Sequence, residues 1–291
     1  MKNKKALIID GNSMMFRAFY ATYKQLNYYQ NNNITPKNAL KTMAQMLFNI
    51  LQTNEYDYLV AAFDAKGGSF RNEISNTYKA NRKSTPTELI DQIPSIHKFC
   101  ELIGFNVFCV SGIEADDVVG SSSKLLASNN IKCDIITSDR DMLQLVDDLI
   151  TVKIIINGGE LKEYNLDNFA AQYHDLKPYQ VIDFKSIAGD QSDNILGVKG
   201  IGEKGAINLI KEFGTLELIY ENIDKIASSS IRKKLIDSKE DAFLSKKMVS
   251  ILLDFFIDKD LYQFQKKNID YEEIRSFFSE NNVSSLERYL V

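Results

Sequence analysis

Short apolar runs alternate with helical patterns along the first half of the chain, and this alternation restricts the fold more than any other feature. Residues 6–9, 58–63, 106–110, 133–137 and 150–156 are each four to seven mostly β-branched, aliphatic or aromatic side chains, the mark of strands buried on both faces. Between the first two runs, Thr35 and Pro36 predict an N-cap and first helical position. Ala39, Leu40, Met43, Met46, Leu47, Ile50 and Leu51 then recur at helical spacing. Strand, helix, strand repeated in this way predicts an α/β chain with a mostly parallel sheet flanked by helices. Residues 66–83 break the rhythm, first with Gly67 and Gly68, then with Phe70, Arg71, Tyr78, Lys79, Arg82 and Lys83, and read as an insertion. After about Leu166 the predicted strands stop. Helices follow on both sides of one Gly-dense stretch, residues 189–205, so the domain change is placed near Pro178.

Composition narrows the class. The chain has 291 residues, 44% hydrophobic and 25% charged, values of an ordinary globular protein rather than a disordered or fibrous one. No apolar run approaches the roughly 20 residues of a membrane helix. The basic start is followed by an apolar stretch that ends at Asp10, too short for a signal peptide. Cys100, Cys109 and Cys133 show neither a disulfide framework nor zinc spacing, and a reducing cytoplasm is expected. The net charge of -4 argues against a uniformly basic nucleic-acid surface and leaves room for a local basic patch.

Acids fall where the predicted strands end. Asp10 closes the first, Asp64 the second, and Asp139 and Asp141 follow the fourth. Glu114, Asp116 and Asp117 open the helix after the third. In an open parallel sheet the carboxyl ends of the strands share one edge, where ligands bind. Any one of these acids could be a cap or a turn residue. Seven together repel one another unless cations lie between them. Carboxylate oxygens without His or Cys suit Mg²⁺ or Mn²⁺, and such a cluster points to hydrolysis of a phosphodiester. His97 and His174 are expected to be surface or packing residues.

The Gly-dense stretch is read as a clamp on a nucleic-acid backbone. Gly197, Gly200 and Gly202 precede a helical run through Ala206, Leu209 and Ile210, with Lys199 and Lys204 adding charge. The insertion is read as a strand-guiding element, with cations for phosphates and the Phe70 and Tyr78 rings free to stack on bases.

These residues resemble the 5′ nuclease (flap endonuclease-like) family, most closely the 5′ to 3′ exonuclease domain of bacterial DNA polymerase I. Seven motifs in family order carry the resemblance: Leu7-Ile8-Ile9-Asp10-Gly11-Asn12-Ser13, Phe63-Asp64-Ala65, Tyr78-Lys79-Ala80-Asn81-Arg82, Glu114-Ala115-Asp116-Asp117, Thr137-Ser138-Asp139-Arg140-Asp141-Met142, Gly189-Asp190-Gln191-Ser192-Asp193-Asn194 and the run from Gly197 to Lys204. The resemblance implies a PIN-like or Rossmann-like nuclease domain over residues 1–177 with a helical arch at about 66–95. It also implies a helical DNA-binding domain over 178–291 with a helix-three-turn-helix at about 180–214. It implies two Mg²⁺ or Mn²⁺ ions on Asp10, Asp64, Glu114, Asp116, Asp117, Asp139, Asp141, Asp190 and Asp193, and arch residues Lys79 and Arg82 at the scissile phosphate.

For DNA contacts the expected residues are Arg17, Arg71, Tyr78, Lys83, Lys199, Gly200, Gly202 and Lys204, with a K⁺ ion at the turn. The implied substrates are DNA with a 5′ flap, nick or 5′ end, and RNA-DNA hybrids. The implied setting is replication and repair, as a monomer. With no polymerase domain in these 291 residues, a free-standing nuclease served by a separate DNA polymerase is expected. Relatives often carry Pro at 196 and 199, Thr or Ser at 205 and Gly at 138, where this chain has Leu196, Lys199, Gly205 and Ser138; none of these departures removes an acid. Two other readings compete. A PIN-like ribonuclease would lack the insertion and the Gly-dense clamp, and a catalytically silent DNA-binding protein would not need the complete acid set. Setting the nine acids aside leaves 30 against 35 Lys and Arg, so the acidic balance resides in the expected metal site.

Overall fold

The computed structural model describes residues 4–256 and 258–290; the start of the chain, Met1 to Asn3, lies outside them. Six strands, β1 (Lys5–Asp10), β2 (Tyr58–Ser69), β3 (Asn106–Gly112), β4 (Lys132–Thr137), β5 (Ile150–Ile155) and β6 (Leu161–Tyr164), form one sheet in the order β3-β2-β1-β4-β5-β6. All pairings are parallel except β5 with β6. Side-chain alternation places Leu7, Ile9, Leu59 and Ala61 in one core and Ala6, Ile8, Val60 and Ala62 in the other, all fully buried. Strand order reverses at β1, so the crevice beyond the carboxyl ends of β1 and β4 is where such a sheet binds ligands.

The helices are α1 (Gly11–Ala21), α2 (Leu26–Asn31), α3 (Asn38–Thr53), α4 (Phe70–Ile74), α5 (Thr87–Ile90), α6 (Ile93–Leu102), α7 (Ala115–Ser128), α8 (Leu166–Gln172), α9 (Gln180–Ala188), α10 (Glu203–Phe213), α11 (Leu216–Glu221), α12 (Ser229–Asp237), α13 (Lys239–Val249) and α14 (Tyr271–Glu280). On one face of the sheet α1, α3 and α6 share a core with Phe277 and Phe278 of α14. On the other face the core is shared by α7 to α13, with α10, α11 and α13 stacked on α9. The last described helix therefore returns to the N-terminal half, where Phe278 lies 6.1 Å from Phe99 and Tyr289 stacks on Phe48. Among the described residues no helix is long and apolar enough to cross a membrane.

Three local expectations differ from the structure. Helix α3 begins at Asn38 rather than at Pro36, because its first amides are capped from elsewhere: buried Gln92 accepts from Ala39 N at 2.9 Å and Leu40 N at 3.2 Å. Strand β6 was not among the expected runs; its Leu161-Lys162-Glu163 is exposed, so an edge strand leaves no apolar alternation to read. The insertion is not a continuous helical arch. Helix α4 has 5 residues and α5 has 4, and between them the chain turns, with Lys79 at φ 54.

Candidate active site

The acids arrive from different strands, Asp10 closing β1 and Asp139 following β4, while Asp64, expected to close β2, lies within it because that strand runs on to Ser69; each is fixed by a neighbouring element. Asp10 closes β1 and caps α1: one oxygen accepts from Ser13 N at 2.9 Å, the other from the Thr137 hydroxyl at 2.7 Å. That hydroxyl accepts from Asp139 N at 2.9 Å, and Asp139 accepts from Asp141 N at 2.8 Å. Asp64 on β2 accepts from Ala115 N at 2.7 Å, so it caps α7, and from the Asn12 amide at 2.5 Å. Asp10, Asp64, Asp116 and Asp139 line one cavity of about 1000 Å³, together with Arg17, Lys79, Arg82 and Arg140.

Burial sets the electrostatics. It pushes the Asp10 carboxyl up to about 7, assisted by the charges of Asp139 and Asp64 and opposed by the hydrogen bonds from Ser13 and Thr137. Burial also raises Asp116, with Asp139 and Asp10 adding repulsion and Lys79 opposing. Asp139 is raised by burial against the pull of Lys185 and Lys79. Burial alone would lower Lys79, but Asp116, Glu114 and Asp193 outweigh it and keep the ammonium charged.

A carboxyl raised in the folded state binds its proton more tightly there than in the unfolded chain. Metal-free protein should therefore lose stability as pH rises from Asp10's ordinary 3.8 to about 7, with the full benefit present below that window. Urea midpoints measured in EDTA across this range should fall more steeply for wild type than for Asp10→Asn.

The donor set fits a hard divalent cation. It consists of carboxylate oxygens, and a bound cation would offset the burial and the repulsion from neighbouring carboxylates that raise Asp10, Asp116 and Asp139. Among the described residues, no three of these side chains close around a common point as they stand.

Not every expected residue joins the cavity. Asp141 and Asp190 are joined through Lys185, whose ammonium donates to both, at 2.7 Å to Asp190. Asp193 accepts from Arg82 at 2.5 Å. Glu114 is held by Ser69 Oγ at 2.8 Å, Lys79 Nζ at 3.0 Å and Tyr78 Oη at 3.1 Å. Lys83, Lys199, Gly200, Gly202 and Lys204 are exposed, and Arg17 donates to the Ile156 carbonyl at the cavity rim.

The structure overturns three assignments. Asp117 is not placed to hold a metal: it is fully buried and grips Arg71 through both oxygens, at 2.7 and 2.8 Å. Arg71 in turn is not placed to meet DNA, being 2% exposed and also donating to the carbonyls of Met248 and Ser250. Tyr78 offers no free ring face, since it packs with Ile195, Met248 and Val249. The glycines divide as well. A Cβ on Gly197, at φ +63, would lie 2.4 Å from Gly189 N, so these two serve backbone packing, while Gly202 opens to solvent. His97 packs on Phe63 with centroids 4.1 Å apart.

Two family models match in succession: the 5′-3′ exonuclease N-terminal resolvase-like domain over residues 5–174, and the 5′-3′ exonuclease C-terminal SAM fold over residues 176–272. The chain belongs to the 5′-3′ exonuclease family. A family relative, a 5′-3′ exonuclease of Mycoplasma pneumoniae, is 40% identical over 97% of both chains. DNA polymerase I of Streptococcus pneumoniae is 36% identical, covering 100% of this chain and 33% of its own length. Among solved structures, a T5 flap endonuclease complex with DNA and metal ions has TM-score 0.67 at 22% identity, over 99% of this chain and 98% of that one, which supports the α/β fold with its helical C-terminal part.

Within this 5′-3′ exonuclease fold the sequence motifs pointed to the acids but not to the groups that hold them. Asn12 and Thr137 adjoin acids and were legible as neighbours. Lys185 lies five positions before Asp190 on α9 and has no local signal. Arg140 carries one, since it sits between Asp139 and Asp141.

Proposed function

We infer that this chain is a divalent-metal-dependent 5′ to 3′ exonuclease and 5′ flap endonuclease acting on DNA. The observation that carries the reading is the cavity in which Asp10, Asp64, Asp116 and Asp139, from four different sheet connections, face Lys79 and Arg82. The fold and the family support it. Two Mg²⁺ or Mn²⁺ ions, the first on these four acids, would supply an activated water and stabilise the leaving oxygen. Asp141, Asp190 and Asp193 would serve a second ion once Lys185 and Arg82 release them, and Glu114 orients Lys79 from behind. Lys79 and Arg82 would grip the scissile phosphate, and Arg17 and Lys83 the strand beyond it.

Lys199, Lys204 and the open backbone at Gly200 and Gly202 would hold duplex phosphates. Residues 178–291 would form the helical DNA-binding domain, gripping DNA through a helix-three-turn-helix at about 180–214, beside a nuclease domain over 1–177. The Gly200 carbonyl already accepts from Lys234 Nζ at 2.9 Å, so a K⁺ ion at this turn would need other carbonyls. We place the protein in the cytoplasm as a monomer that also removes RNA from RNA-DNA hybrids during replication and repair, beside a separate polymerase.

The test uses a flap substrate labelled at the 5′ end in one reaction and the 3′ end in another. Short 5′-labelled products in Mg²⁺ or Mn²⁺, and none in EDTA, are expected. Progressive shortening from the 3′ end, or no cleavage with either metal, would refute the reading. Lys204→Met should weaken duplex binding alike for all sequences, and the slope of log affinity against log salt should fall by about 1. An anisotropy titration at several salt concentrations measures it.

A further inference from the structure

The cavity has a second wall that the acids do not explain. Phe16, Arg17, Tyr20 and Ala21 of α1 line it, facing Thr42 and Met46 of α3. Phe16 and Tyr20 stack with centroids 6.4 Å apart and planes 14° apart, and Tyr20 stacks on Tyr23 at 6.2 Å and 23°. The stack is open to solvent, Tyr20 being 56% and Tyr23 54% exposed. It is also fixed in place. Phe19, fully buried beneath, meets Tyr20 and Tyr23 edge-on at 5.3 and 5.8 Å, so little ring freedom remains to be lost when something docks.

Three near-parallel rings lead out of a cavity in which Arg17, Lys79, Arg82 and Arg140 stand beside the four carboxylates, and so set stacking faces next to cations that can hold phosphates, the pairing that binds single-stranded nucleic acid. A protein partner would gain from the apolar rings but not from four cations at their inner end. Resting on the nuclease reading above, we propose that Tyr20 and Tyr23 form a stacking track for unpaired bases of the substrate's single-stranded arm, carrying that arm away from the acids.

The arrangement predicts a dependence on bases rather than on charge. Tyr20→Leu/Tyr23→Leu should bind a flap substrate about 5- to 20-fold more weakly, whereas Tyr20→Phe/Tyr23→Phe, which keeps the rings, should bind like wild type. The defect should vanish on a substrate whose arm is abasic. 2-Aminopurine placed at successive arm positions should be quenched by wild type and the Phe variant, and not by the Leu variant. Circular dichroism and melting of the Leu variant check its fold. If that variant proves unfolded, quenching by Tyr20→Leu alone decides. Equal losses on natural and abasic arms, or Leu variants that bind and quench as wild type, would overturn the track while wild-type cleavage leaves the nuclease reading intact. A wild-type protein that neither binds nor cleaves the flap substrate would overturn both.

Discussion

Asp117→Ala is expected to destabilise the protein by about 3–5 kcal/mol, because it takes the closest countercharge from a guanidinium that has no route to water. Arg71 is 2% exposed and Asp117 fully buried, and their paired hydrogen bonds of 2.7 and 2.8 Å are the main compensation for taking two charges out of solvent. The pair also ties three elements together. Arg71 reaches from α4 to the carbonyls of Met248 and Ser250, at 2.8 and 2.7 Å, and Asp117 accepts from Leu252 N at 2.9 Å. Removing Arg71 leaves Asp117 without its countercharge, and removing Asp117 leaves Arg71 only the longer pair with Glu114, at 3.3 Å; removing both strands neither. Arg71→Met/Asp117→Leu should therefore recover most of the loss. Urea unfolding of the two single variants and the double, read as a cycle, measures this. An Asp117→Ala protein of wild-type stability that has lost only its metal response would return Asp117 to the ligand set.

The second large effect is chemical. Asp139→Asn keeps an oxygen for the Asp141 amide, so the turn that follows β4 stays capped, but it removes one of the charges that face the cavity. Cleavage of flap DNA should fall about 1000-fold or more, equivalent to about 4 kcal/mol of barrier, with DNA binding kept. The metal-free variant should also be more stable than wild type near neutral pH, since Asp10 and Asp116 both lose a repelling neighbour. Single-turnover rates in saturating Mn²⁺ and urea midpoints in EDTA read the two consequences. A variant that cleaves within tenfold of wild type would remove Asp139 from the chemistry.

Strand positions were legible because runs such as Leu7-Ile8-Ile9 feed two cores at once, leaving no polar residue to confuse the pattern. The acids were legible because a parallel sheet gathers strand ends. Asp117 was misread despite a warning in its spacing. Consecutive helical residues point about 100° apart, so where Asp116 lines the cavity its neighbour faces elsewhere, and here elsewhere is the core. Arg71 and Tyr78 read as DNA contacts because the insertion is basic, aromatic and Gly-rich. What the sequence did not display was a buried countercharge 46 residues away. Lys185, bridging Asp141 and Asp190, was unreadable for the same reason: its partners belong to other elements.

The return of α14 to the first half of the sheet has a consequence for how this protein is made. Leu7, Ile9 and the inner sides of α1, α3 and α6 share their core with Phe277, Phe278 and Leu286. On the ribosome, more than 150 residues follow α6 before those side chains emerge, and until then a broad greasy surface waits uncovered. Contacts this distant along the chain slow folding and expose intermediates to aggregation. The nascent protein should thus occupy a chaperone until α14 is released, and a ribosome stalled before Phe277 should hold an unfinished domain with its acids already gathered.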